Sequence, residues 1–325
     1  MMKRFKNILY VNESTVDQAS AVERAVTLAE NNHADMTVVD VIPTQVVMAC
    51  CGLPSAWGDA TELQTAIMAD RRNFLESMLQ PYKQRLNIRV DVLVGKTFLE
   101  VIRAVLKNAF DLVVKPAENP NWAHRLFGSD DMHLLRKCPC PVWLMKPPEK
   151  SNYGSILVAV DFDPLNPLGT DHDLNREILE LASSLALSDF ASLHLVHAWE
   201  AFAETNTLAR GGMSPADMVD YVEKEGLKHR NGLSLLAGEM RGWIGKDAYD
   251  FLSPRFHLPK GPAKKMIAPL AAELKADLVV MGTIARTGIS GLIIGNTAEA
   301  IIEQLSCSLL AVKAPGFTTP VKLSE

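Results

Sequence analysis

The segments GSDDMHLLRKCPCPVWLMK (128–146) and GNTAEAIIEQLSCSLLAVK (295–313) align without a gap, placing Cys140 over Cys307 and Lys146 over Lys313. Such a repeat restricts the chain more than any other feature, because one architecture has to serve both halves. The correspondence continues upstream. KNILYVNES and GSILVAVDFD are short apolar runs that end near a polar residue, Asn12 and Asp161, and both read as buried first strands. Amphipathic helical patterns follow, AVERAVTLAE at 21–30 and NREILELASSLA at 175–186, then second strands in MTVVDVI and LHLVHAW. VDVLVGKTFLEVIRAVLKNAFDLVVK (90–115) and FHLPKGPAKKMIAPLAAELKADLVVMG (256–282) each read as strand, glycine at a turn, helix and a DLVV strand.

Strands alternating with helices imply βαβ crossovers and a mostly parallel sheet. The prediction is α/β: two tandem Rossmann-like domains, each a five-stranded sheet flanked by helices. The chain has 325 residues, about two ordinary domains, and 48% of them are apolar, enough for two cores. The predicted domains are 1–148 and 153–316, separated by PPEKSN at 147–152, with 317–325 as a C-terminal tail.

Between second and third strands the first half has one helical pattern over 59–86. The second has a longer run, Glu200 to Pro254, with Met218, Tyr221, Val222, Leu233, Leu236, Met240 and Trp243 at helical spacing. These residues read either as core or as the wall of a pocket for a small apolar ligand or lipid.

The order ILVAVDFD, DLVVMGT, RTGISGLIIGNTAEAII and a closing strand after Cys307 resembles the universal stress protein family, as a tandem pair covering nearly the whole chain. The resemblance implies a role in surviving stress or growth arrest. ATP-binding members carry G-x2-G-x9-G-[ST] after the fourth strand. There glycines let backbone approach phosphates, and a helix N-terminus attracts anions. That register falls on Gly282, Ala285 in place of the second glycine, Gly295, and Asn296 in place of Ser or Thr. Asn296 reads as an N-cap whose amide can donate to phosphate, and Thr297 supplies a hydroxyl. Arg286 brings positive charge, and Gly288 and Gly291 keep the loop pliable. The resemblance places the nucleoside at Asp161 with Ala159 and Val160, and the fourth strand ends at Met281 beside them. Topology favours the same place, since open parallel sheets bind ligands outside the carboxyl ends of their strands. ATP in the second half is therefore the expected cofactor, and a turn aspartate with a capped helix and no ligand is the alternative.

In the first half the same positions hold Asn12 and the loop KPAENPNWAHRLFGSDD, keeping only Gly128 and Ser129. Glu118, Asp130 and Asp131 put like charge where phosphates would sit, so this half is expected not to hold ATP. Family members pair through their last strands. Applied here, PVWLMK and SLLAVK form an internal pseudo-dimer, and pairing of whole chains into a homodimer stays open.

Other chemistries find less support. The net charge of −5 without a dense basic block argues against direct nucleic-acid binding. No run is long enough to span a membrane, and the apolar stretch Ile8–Val11 is too short for a signal core, so the expected compartment is the cytoplasm. Cys50, Cys51, Cys138, Cys140 and Cys307 fit no disulfide framework or common zinc spacing, and Cys138 and Cys140 read as structural thiols. His194 and His197 are expected to flank the second strand on opposite faces. His172 in TDHD reads as a polar loop before a helix. No Ser-His-Asp order, HExxH or P-loop occurs, so no catalytic residue is assigned; for weak ATP hydrolysis Asp161 is the evident candidate.

Overall fold

The computed structural model describes residues 4–46, 60–118, 129–169, 171–201, 214–283 and 295–323. Within the first half β1 (Asn7–Val11), α1 (Ala19–Asn32), β2 (Asp35–Ile42), α2 (Ala60–Leu79), β3 (Ile88–Val94), α3 (Thr97–Asn108), β4 (Leu112–Pro116), α4 (Asp130–Lys137) and β5 (Val142–Met145) alternate as the periodicity requires. The second half repeats this with β6 (Ser155–Ala159), α5 (His172–Asp189), β7 (Ser192–Val196), α6 (Pro215–Ile244), α7 (Lys246–Leu252), β8 (Arg255–His257), α8 (Ala263–Glu273), β9 (Leu278–Gly282), α9 (Asn296–Ile302) and β10 (Ser308–Val312).

The strand order is β3-β2-β1-β4-β5 in one half and β10-β9-β6-β7-β8 in the other, the same topology twice. The strand pairs inside each half are parallel. Continuous apolar runs such as Ile8–Val11 and Ile156–Val158 are buried, as strands covered by helices on both faces should be. The expected five-stranded α/β domains are thus present. Two compact units divide the described chain, one of residues 4–151 with 317–323, the other of 152–283 with 295–316.

The repeat extends to backbone detail. His33 and Phe190 close the first helix of each half with φ of 50° and 55°, and Ala109 and Lys275 follow α3 and its counterpart α8 with φ of 52° and 49°. These left-handed residues are helix stops normally given to glycine. No helix among the described residues is long and apolar enough to cross a membrane.

Candidate functional site

The chain leaves β6 and β9 toward opposite sheet edges, so the crevice of the second half lies outside their carboxyl ends. Ala159 pairs with Met281, bringing the two strand ends level. Val160 prolongs the strand through its N–H to the Val196 carbonyl at 3.0 Å. The Asp161 side chain is 66% exposed. Its backbone is clamped by buried Asn175 of α5, whose Nδ2 donates to the Asp161 carbonyl at 2.8 Å and whose Oδ1 accepts the Asp161 N–H at 3.4 Å.

Thr283 stands just beyond β9 and is fully buried. Its carbonyl accepts the Gly295 N–H at 3.2 Å, and its Oγ1 accepts from Lys313 Nζ at 2.8 Å. A buried ammonium thus lies near the start of α9. The Gly295 carbonyl accepts the Glu299 N–H at 3.0 Å, which makes Gly295 the N-cap and Asn296 the first helical residue. The sequence expectation of Asn296 as N-cap is corrected by one position. No side chain caps this helix among the described residues, and Asn296 and Thr297 are exposed. Gly295 sits at φ −59°, ψ 139°, a conformation open to any residue, so backbone freedom is not what a glycine supplies there. At Gly282 a Cβ would approach Leu174 Cδ2 of α5 to 2.8 Å, so a side chain there would require Leu174 to shift. Val160 and Met281 are buried, and Ala285, Arg286, Gly288 and Gly291 lie outside the described residues.

Beside Asp161, the ends of β6 and β7 carry an aromatic and imidazole stack. Phe162 stacks on His197 with centroids 3.8 Å apart, and His229 of α6 stacks on both His197 and Trp199. His197 Nε2 and His229 Nδ1 are 2.8 Å apart. Leu233, Leu236 and Met240 of α6 are buried as expected for core, while Tyr221, Val222 and Trp243 are half-buried. Sequence reasoning missed His229, because only the fold brings it to His197.

The equivalent crevice of the first half is filled from within. Asn12 Nδ2 donates to Asp40 at 3.0 Å, and Asn12 Oδ1 accepts from Gln18 at 2.6 Å. Lys115, fully buried on β4, donates to Asp131 at 2.7 Å and Glu13 at 2.9 Å and lies 3.6 Å from Glu118. Burial pulls the lysine pKa down, but Asp131, Glu13 and Glu118 together raise it well above its ordinary value. The expectation of unrelieved negative charge at Glu118 and Asp131 therefore needs correction, since Lys115 neutralises part of it. Burial and then Asp131 still push Glu118 up to about 7. At the start of α4, Ser129 Oγ accepts the Met132 N–H at 3.2 Å, and Asp131 Oδ2 accepts the Glu118 N–H at 2.9 Å. That pole is occupied by the protein itself.

His194 lies inside β7 rather than flanking it, and its Nδ1 meets His257 Nε2 at 2.9 Å. Burial, then the facing imidazole, lowers the His194 pKa; burial, with Arg255, lowers that of His257. His172 is the first residue of α5 and packs edge-on against Trp243. Cys138 and Cys140 are buried with sulfurs 3.6 Å apart, and their mutual contact and burial keep the Cys140 thiol protonated. Cys50 and Cys51 lie outside the described residues. Among the described residues no group of three or more His, Cys, Asp or Glu is placed to hold a metal.

The family model described as "Universal stress protein family" matches residues 4–146 and 152–313. "Universal stress protein E" of Escherichia coli (strain K12) is 27% identical over 331 aligned residues, covering 100% of this chain and 99% of that protein. "Universal stress protein E homolog" of Haemophilus influenzae is 26% identical over 323, covering 95% and 98%. The crystal structure of a putative universal stress protein from Pseudomonas aeruginosa UCBPP-PA14 aligns over 95% of this chain and 93% of that one, with a TM-score of 0.66 and 24% identity, a likeness of fold.

Proposed function

Because the chain belongs to the universal stress protein family, we propose that its second half binds the phosphates of ATP or a related nucleotide and serves as a cytoplasmic stress-survival sensor. The observation that carries this reading is the contrast between the two helix poles. Ser129 and Asp131 fill the start of α4, whereas α9 opens at Gly295 without a side-chain cap among the described residues. First-turn N–H groups that no described side chain caps, together with the buried Lys313 ammonium, favour a polyanion there. In this proposal Asn296 and Thr297 add side-chain donors, Arg286 and Ala285 border the phosphates, and Ala159, Val160, Asp161, Met281 and Gly282 receive the nucleoside.

Calorimetric titration with ATP tests the reading against Gly295→Trp. The backbone at this position accepts any residue, so the substitution adds bulk without backbone strain, and an unchanged circular-dichroism spectrum of the variant is the control for folding. Loss of ATP binding is expected, and equal affinity in both proteins overturns the site. The competing occupant, a small apolar molecule held against α6, appears as an added mass in native mass spectrometry of the purified chain. The proposal also keeps the pairing of PVWLMK with SLLAVK as an internal pseudo-dimer.

A further inference from the structure

The ring nitrogens His197 Nε2 and His229 Nδ1 stand 2.8 Å apart on residues that are 2% and 7% exposed. Two imidazole nitrogens at that separation share one proton: one ring donates and the other must keep its lone pair. The outer nitrogens fix the direction. His197 Nδ1 faces the Val160 carbonyl at 3.3 Å, which can only accept, so this nitrogen carries hydrogen and Nε2 is left as the acceptor. His229 Nδ1–H is then the donor. His229 Nε2 faces Glu225 Oε1 at 3.9 Å, so a first proton taken up there leaves the bond between the rings intact. A second proton has nowhere to go except His197 Nε2, and it replaces the hydrogen bond by two opposed N–H groups.

Among the described residues, the charged groups facing the pair are Asp161 at 3.9 Å from His197 Nδ1, Glu225 on α6, and Lys228, whose ammonium holds the other Glu225 oxygen at 2.8 Å. The pair also joins separate elements. His197 follows β7, His229 belongs to α6, and Phe162 from the end of β6 lies against both His197 and Gly232 of α6. α6 is thereby seated on the strand ends through a contact that tolerates one added proton and fails with two.

We propose that the His197–His229 bond is a proton-counting latch that holds α6 against the ends of β6 and β7 and releases it on acidification. The latch does not require a bound nucleotide. Since the folded pair resists the second proton that two unfolded histidines accept near 6.5, its stabilisation is present above that pH and is lost as pH falls through it.

Hydrogen exchange of the full-length protein without nucleotide tests this. Protection factors of α6 amides from Gly232 to Met240 should fall about tenfold between about pH 8 and about pH 5, the effect of one lost hydrogen bond, while those of α1 hold. His229→Asn keeps an amide donor toward His197 Nε2, and once that nitrogen is protonated the same amide can turn its Oδ1 to accept, so no opposed N–H pair forms and its α6 protection should be flat over the same range. Should His229→Asn fail to fold, His197→Gln supplies the same non-titrating partner from the other side. Wild-type protection that stays flat, a fall shared equally by α1, or a fall that persists in the substituted protein each overturns the latch.

Discussion

Lys115 is a single residue that determines what the first half can do. Its ammonium serves Asp131 and Glu13 together, both largely shielded from water. Replacement by methionine keeps the stem and removes the charge, leaving the Asp131 carboxylate buried without its cation. Breaking one side of such a pair costs about 3–5 kcal/mol, so Lys115→Met should lower the urea midpoint steeply. A midpoint within experimental error of wild type would mean that the ion cluster contributes nothing. Glu118 acts in the opposite direction. Its folded pKa of about 7 lies above the unfolded value near 4.3. Its contribution is fully present below the unfolded pKa and is lost as pH rises through 7, because the unfolded chain releases that proton more readily. Glu118→Gln should therefore raise Tm at pH 8 and converge on wild type as the pH drops below 7. An unchanged Tm at pH 8 would contradict the strained ionisation. Glu118 and Asp131 were legible in the sequence as acidic neighbours of the loop. Lys115 was not, because inside DLVVK it looks like the solvated end of a strand, and only the sheet register points it into the crevice.

At the scale of elements, α6 shows how a helix enlarged in one half is anchored. Its apolar stripe was readable from spacing, and Leu233, Leu236 and Met240 are buried accordingly. Its glycines were opaque, since their meaning depends on what faces them. A Cβ on Gly232 would come within 2.5 Å of Phe162 Cε2, an aromatic ring already stacked on His197, whereas a Cβ on Gly238 would meet nothing within 4 Å. Both substitutions to alanine gain helix propensity of about 1 kcal/mol. At Gly232 the clash exceeds that gain, because overpacking a closed core costs about 1–3 kcal/mol. Gly238→Ala should thus raise Tm and Gly232→Ala lower it, and thermal unfolding of the two variants side by side checks the sign of each. Equal shifts would mean that α6 does not rest on Phe162. Helix ends were equally hard to read. The left-handed closers His33, Ala109, Phe190 and Lys275 include no glycine, so the usual stop signal was missing.

The whole molecule repeats one topology, and that much was legible because strand order follows from βαβ connections when each half supplies the same run of elements. What distinguishes the halves was only partly legible, since it lies in contacts between residues distant in sequence. Asn12 is held by Asp40 and Gln18, and the pole of α4 by Ser129 and Asp131. Asp161 instead keeps an exposed carboxylate over a clamped backbone, and no described side chain caps α9 at Gly295. A ligand entering the first crevice would have to displace charge-assisted hydrogen bonds already made, while at the start of α9 no described side chain caps the helix. On the proposed reading the two sites differ in occupancy, although their sheets are equivalent. Titration of the intact chain with ATP should saturate at one equivalent, and the same titration on Lys115→Met should not raise that number, because Asp131 and Glu13 remain and repel phosphate. Two equivalents in the wild-type chain would show that the internal contacts of the first half yield to a ligand, and the asymmetry would then have no functional meaning.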